Sequence, residues 1–199
     1  MMSWADFVNF TFIHIPKTGG TSLETLLTKE QAIFHRFPKP PSRPWLSPWH
    51  FPPDLYTDHY KLPFGIPAAK KRFCIVRHPK ERYLSCQAWS RFRFHKTPES
   101  LASDYANWAG TKKTEEHLHR MPQHMFVFAR TGRVQCDCVI AFEKFAARTK
   151  IVKNSRKHVN VSFPKSFAKL YKRDFELHDS ALRAKEFCFR PTQSLPALP

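Results

Sequence analysis

Apolar residues along the chain fall into short runs, each closed by proline, glycine or polar turn residues. The run Val8–Asn9–Phe10–Thr11–Phe12–Ile13–His14–Ile15 is β-branched and aromatic and predicts a buried strand ending at Pro16. A turn, Lys17–Thr18–Gly19–Gly20, follows, and then Thr21–Ser22–Leu23–Glu24. Thr21 with Glu24 three positions on has the form of a capping box, and Leu23, Leu26 and Leu27 continue at helical spacing. The chain therefore opens as strand, glycine turn, helix.

The same pattern returns at Arg72–Phe73–Cys74–Ile75–Val76–Arg77, which reads as a strand. His78–Pro79 begins a helix with Tyr83, Leu84, Gln87 and Ala88 as its inner face. Met125–Phe128 and Val139–Phe142 predict further short strands, Phe163–Glu176 and Ser180–Phe187 predict helices, and 96–122 is polar and irregular with some helix. Strands alternating with helices predict an α/β fold with a central parallel sheet flanked by helices. Residues 1–190 read as one domain and 191–199 as a flexible tail. Between Pro38 and Pro67 stand nine prolines in thirty residues, which excludes regular helix or central strand. With Trp45, Trp49, His50 and His59 inside it, this segment reads as a packed substrate or active-site loop.

Composition narrows the picture. Lys and Arg number 33 against 16 Asp and Glu, a formal charge of +17. Such an excess speaks of anionic partners: a nucleic acid, a membrane surface, or an anionic ligand or polymer. The basic residues are dispersed rather than gathered in a tail, which favours a positive cleft. No apolar stretch approaches the length of a membrane span, and Met1–Phe10 has no basic region preceding a separate apolar one, so it is read as strand rather than signal peptide. The five cysteines, Cys74, Cys86, Cys136, Cys138 and Cys188, show no metal-site spacing and are expected to be buried free thiols.

Two segments carry chemistry. A glycine turn between strand and helix presents backbone N–H groups and the positive end of a helix dipole to an anion. In Ile15–Pro16–Lys17–Thr18–Gly19–Gly20–Thr21–Ser22 that cradle carries a lysine and three hydroxyls. The lysine precedes the glycines, unlike the order in a Walker A loop, which argues against a nucleotide kinase or triphosphatase. The second segment is Arg77–His78–Pro79–Lys80–Glu81–Arg82–Tyr83–Leu84–Ser85. An arginine closing a buried strand offers a forked donor to phosphate, and Ser85 adds a neutral hydroxyl two helical turns on. Both segments fall at strand carboxyl ends, where open α/β sheets bind ligands.

Together these motifs resemble the sulfotransferases that use 3'-phosphoadenosine-5'-phosphosulfate (PAPS), specifically the branch containing the heparan sulfate 2-O- and 6-O-sulfotransferases. The resemblance implies a P-loop-like three-layer domain and a PAPS co-substrate. By it, Lys17, Thr18, Gly19, Gly20, Thr21 and Ser22 hold the phosphosulfate, while Arg77 and Ser85 hold the 3'-phosphate. His78 stands where the family more often has Asp. Downstream, His119 and Gln123 match a His–x–x–x–Gln stretch near the acceptor. Val139 to Phe145 matches a strand ending in Glu, here Glu143, His158–Val159–Asn160–Val161–Ser162 an Asn–x–Ser loop beside the nucleotide, and Leu170 to Leu177 a Tyr–x–x–Asp–Phe helix. Ser162 joins the nucleotide-binding set on that basis.

The implied reaction moves a sulfuryl group to a hydroxyl, with Lys17 stabilising the leaving phosphate and a histidine between the two motifs as base. His50 is the first choice, His59 the second and His35 the third. No metal is expected, since a sulfuryl group carries less charge than a phosphoryl group and no carboxylate cluster is evident. The positive charge suits an acidic glycan acceptor, although a neutral one fits too, and Trp45, Trp49, Trp89 and Trp108 are candidates for stacking on sugar rings. A full-length chain would be cytoplasmic, and a catalytic fragment would belong to the Golgi lumen. The competing possibility is a non-catalytic protein that binds anions or nucleic acid through its basic surface. That explains the charge, but not two ordered anion motifs on successive strand–helix units.

Overall fold

A computed structural model describes residues 4–6, 10–29, 33–35, 50, 52–53, 71–89, 96–107, 115–129, 131–149 and 163–191. Its strands are β1 (Trp4–Asp6), β2 (Phe10–Ile13), β3 (Ile33–His35), β4 (Lys71–Val76) and β5 (Cys138–Ala141), arranged in one sheet in the order β3-β1-β2-β4-β5. The described helices are α1 (Gly20–Lys29), α2 (Pro79–Trp89), α3 (Pro98–Ala106), α4 (Glu115–Arg120), α5 (His124–Val127), α6 (Phe142–Thr149), α7 (Lys165–Leu170) and α8 (Lys172–Arg183).

Strands β2, β4 and β5 run parallel, with Ile13 opposite Cys74 and Val76 opposite Ala141. This is the expected parallel centre, but the whole sheet is mixed, because β1 pairs antiparallel with both β2 and β3. Only a short connection separates β1 from β2, and a parallel neighbour would need a crossover of a dozen residues or more.

Alternation along the parallel strands divides the core in two. Ile13, Cys74, Val76, Val139 and Ala141 face Leu118, Met121, Phe126 and Leu177 on α4, α5, α8 and their connections. Phe12, Ile75 and Ile140 face Leu23 of α1 and Phe142, Phe145 and Ala146 of α6. Helices therefore cover both faces, as the near-continuous apolar character of these strands requires.

Three local expectations change. Residues 125–128 form no strand: Met125, Phe126 and Val127 lie in the one-turn helix α5. Four consecutive buried apolar residues carry no period that separates strand from helix. The C-terminal helices break at Tyr171 rather than between 176 and 180, because the Tyr171 hydroxyl donates to the Arg120 carbonyl at 2.6 Å and anchors the junction. Cys138 and Cys188 are paired as a disulfide, while Cys74, Cys86 and Cys136 are the buried free thiols. An antiparallel bridge between Val139 and Phe189 lays the C-terminal segment along β5 and brings the two paired Cα atoms to 5.4 Å, a separation a disulfide spans.

Phe126, fully buried in the α4–α5–α8 layer, tests this packing. Phe126→Ala should lower the unfolding free energy by about 3–5 kcal/mol, read from denaturant midpoints at unchanged m-value. A loss no larger than a surface substitution gives would show that the layer is not packed as described.

Candidate active site

The glycine turn is built around a strained residue. Lys17 has φ 68°, a left-handed conformation that costs a non-glycine residue on the order of 1–2 kcal/mol. Two bonds hold the chain there. The Thr18 hydroxyl, fully buried, donates to the Ile15 carbonyl at 2.9 Å. Arg82 Nε donates to the Pro16 carbonyl at 2.9 Å. Gly19 then turns with φ 94° straight into α1, so the helix begins at Gly20 and Thr21 sits inside its first turn rather than at a cap. The helical ladder starts where Leu23 N–H donates to the Gly19 carbonyl at 3.0 Å. The N–H groups of Gly20, Thr21 and Ser22 precede it and are those a helix leaves without an intrahelical partner.

Both glycines are also required by space. A Cβ on Gly19 would come within 2.6 Å of the Phe142 ring, and one on Gly20 would collide with His14 Nε2. The turn is thus pressed between α6 on one side and the imidazole of His14 on the other.

Arg77 follows β4 as Lys17 follows β2, and the two strands are adjacent, parallel and in register. The segments therefore emerge at one edge of the sheet, with strands ~5 Å apart. Arg82, in the second motif, ties that edge together: besides Pro16, its Nη2 donates to the His119 carbonyl at 2.9 Å. The Cys86 thiol also donates to that carbonyl, at 3.2 Å. Burial pushes this thiol's pKa up, against the opposing pull of Arg82, Lys17, Arg120 and Arg77. The Arg77 guanidinium lies 5.2 Å from the Phe142 ring centroid and 3.4 Å from a Glu81 carboxylate oxygen. Ser85 is half-buried on α2, next to Cys86.

Imidazoles gather beside the turn. The His50 ring stands 4.3 Å from that of His119 and 5.9 Å from that of His14, centroid to centroid. His50 and His119 are each 1% exposed. The expected base and one of the expected acceptor residues are therefore in edge-to-face contact, and His14, which no motif marks out, also meets His50 edge-on. Gln123 goes elsewhere: its carboxamide engages the main chain of Arg77. His59, Ser162, Asn160, Trp45, Trp49 and Trp108 lie outside the described residues. No group of three or more His, Cys, Asp or Glu side chains among the described residues is placed to hold a metal, and no described helix is long and apolar enough to cross a membrane.

A second imidazole pair borders Arg77. The rings of His78 and His178 meet edge to face at 5.4 Å, and His178 Nε2 lies 2.9 Å from a Glu143 carboxylate oxygen. Burial holds the His78 pKa below its ordinary 6.5, and the neighbouring His178 lowers it further; Glu143 and Glu81 pull it up and Lys80 down. A histidine depressed in the folded state stabilises the fold above pH 6.5, and that contribution is lost as pH falls through the window below it. Proton-detected titration should place the His78 midpoint below 6.5, and Glu143→Gln should move it further down by removing the carboxylate. An upward move in that variant would contradict the arrangement.

No protein-family model, no curated protein and no solved structure matches this chain, so its chemistry is read from its own residues.

Proposed function

We propose that this protein is a PAPS-dependent sulfotransferase acting on a hydroxyl, with a glycan as acceptor. One observation carries the proposal. Arg82, inside the second anion motif, donates to Pro16, inside the first, at the shared edge of two adjacent parallel strands. Two anion sites held this close suit the two ends of one doubly phosphorylated adenosine, which a single phosphate pocket or a diffuse basic surface does not explain. The P-loop-like three-layer arrangement is the frame in which those ends would lie.

In the proposed reaction the acceptor oxygen attacks sulfur in line with the departing phosphate. The O–S bond forms as the bond from sulfur to the 5'-phosphate oxygen breaks, and the acceptor proton passes to His50. Negative charge then grows on the leaving phosphate, where the Lys17 ammonium and the N–H groups opening α1 compensate it, much as in phosphoryl transfer. Arg77 and Ser85 would hold the 3'-phosphate. His119 and His14 pack against His50 and limit how its ring can turn. The charge of +17 would draw both the anionic donor and an acidic glycan to the cleft.

Thermal-shift measurements with 3'-phosphoadenosine 5'-phosphate (PAP), ATP and a single-stranded oligonucleotide test the assignment. PAP should stabilise the fold, by about 2.7 kcal/mol at a hundred times its dissociation constant. Stabilisation by the oligonucleotide alone would favour the nucleic-acid-binding alternative and sink the enzyme reading. With a labelled donor, Lys17→Ala should lose on the order of 100- to 1,000-fold in rate. His50→Ala should lose about 100- to 10,000-fold while PAP binding persists. Near-normal turnover in the His50 variant would move the base elsewhere.

A further inference from the structure

The carboxamide of Gln123 closes a ring of two hydrogen bonds on one residue. Arg77 N–H donates to Gln123 Oε1 at 2.9 Å, and Gln123 Nε2 donates to the Arg77 carbonyl at 2.8 Å. A primary amide presents a donor and an acceptor side by side, as a neighbouring strand's backbone does, and only this orientation satisfies both bonds. It does so where strand pairing has run out. The register of β4 with β5 ends at Val76 and Ala141, and Phe142 already opens α6. Gln123 thus stands in for a missing strand partner. It is 0% exposed and both its polar atoms are engaged, which leaves it little to offer an acceptor.

Gln123 is itself held from behind. Asp174 of α8 accepts from the Gln123 N–H at 2.7 Å and the His124 N–H at 2.9 Å, and lies 2.8 Å from His124 Nδ1. A carboxylate buried as fully as this one needs such partners to offset its desolvation. A continuous set of bonds therefore runs from α8 to the peptide that carries the Arg77 side chain. The guanidinium is held more loosely, by Glu81 at 3.4 Å and by the Phe142 ring, with 17% of the side chain exposed. The aim of Arg77 depends chiefly on its backbone.

We propose that Gln123 is a positioning residue that aligns Arg77 with the 3'-phosphate and thereby sets the preference of the site for PAP over adenosine 5'-phosphate (AMP). The inference rests on the 3'-phosphate role given to Arg77 above. Isothermal titration of PAP and AMP into wild type, Arg77→Ala and Gln123→Met separates the two claims, with folding of each variant checked by circular dichroism. Wild type should prefer PAP strongly, and Arg77→Ala, which leaves only Ser85 on the 3'-phosphate, should reduce the preference by at least about 10-fold. Gln123→Met, with Arg77 intact, should weaken PAP by about 10- to 100-fold and leave AMP unchanged, since the interaction at risk is a charge-assisted hydrogen bond. Gln123→Glu keeps the size and the acceptor but loses the donor; it should reduce the same ratio, and it carries the test if the methionine variant does not fold. An unchanged ratio, an equal loss for both nucleotides, or failure of both variants to fold would reduce Gln123 to a structural residue and overturn the proposal. A wild type with no preference for PAP would instead defeat the functional reading beneath it.

Discussion

The arrangement at the sheet edge depends on where the Arg82 guanidinium lies. It is a cation with 3% of its surface exposed, and it binds main-chain carbonyls at both ends of its fork: Pro16 at the start of the glycine turn and His119 at the end of α4. Taking a cation out of water is costly, and breaking such a buried arrangement costs more than forming it gained. Its geometry is therefore demanding. A lysine offers a single compact ammonium and cannot hold two carbonyls in the fixed directions that a planar fork can. Three pieces of chain far apart in sequence, the turn, α2 and α4, are registered against one another by one side chain.

That registration explains how the turn tolerates its own strain. Lys17 sits at φ 68° between two held points, the Pro16 carbonyl before it and the Thr18 hydroxyl bond after it. A left-handed lysine persists only where its surroundings over-determine it, and such residues concentrate at sites with a task. The same side chain also holds the carbonyl of His119, whose ring meets that of His50 edge to face. The turn and the His119 end of the imidazole cluster are thus tied through one side chain.

What the sequence makes legible is the part written in local pattern. Strand β2 with its turn and α1, and strand β4 with α2, are each announced by an apolar run, a break and a helical spacing, and those two units carry Lys17 and Arg77. The parts that escape have no local signature. Residues 125–128 are apolar throughout and buried throughout, so nothing in their order tells a strand from a single helical turn. The imidazole cluster joins positions 14, 50 and 119, and the disulfide joins 138 and 188 across a β-bridge that no composition rule foresees. Gln123 was legible as part of a motif, yet its work on the Arg77 peptide appears only once α4, α5 and β4 are folded together.

Exposure sorts the polar residues at this edge into two kinds. Several of the deeply buried ones are bonded to main chain: Thr18 to Ile15, Arg82 to Pro16 and His119, Gln123 to Arg77, and Asp174 to Gln123 and His124. Those that keep contact with solvent include Lys17, Thr21, Ser22, Arg77, Glu81 and Ser85. A buried polar group must be satisfied within the protein or the fold bears the loss, whereas a solvated one can exchange water for a ligand at little cost. The first set therefore builds the edge, and the second faces the solvent beside it. That second set joins two cations and three hydroxyls to one carboxylate, Glu81, which lies 3.4 Å from Arg77 and offsets part of the positive charge at this edge.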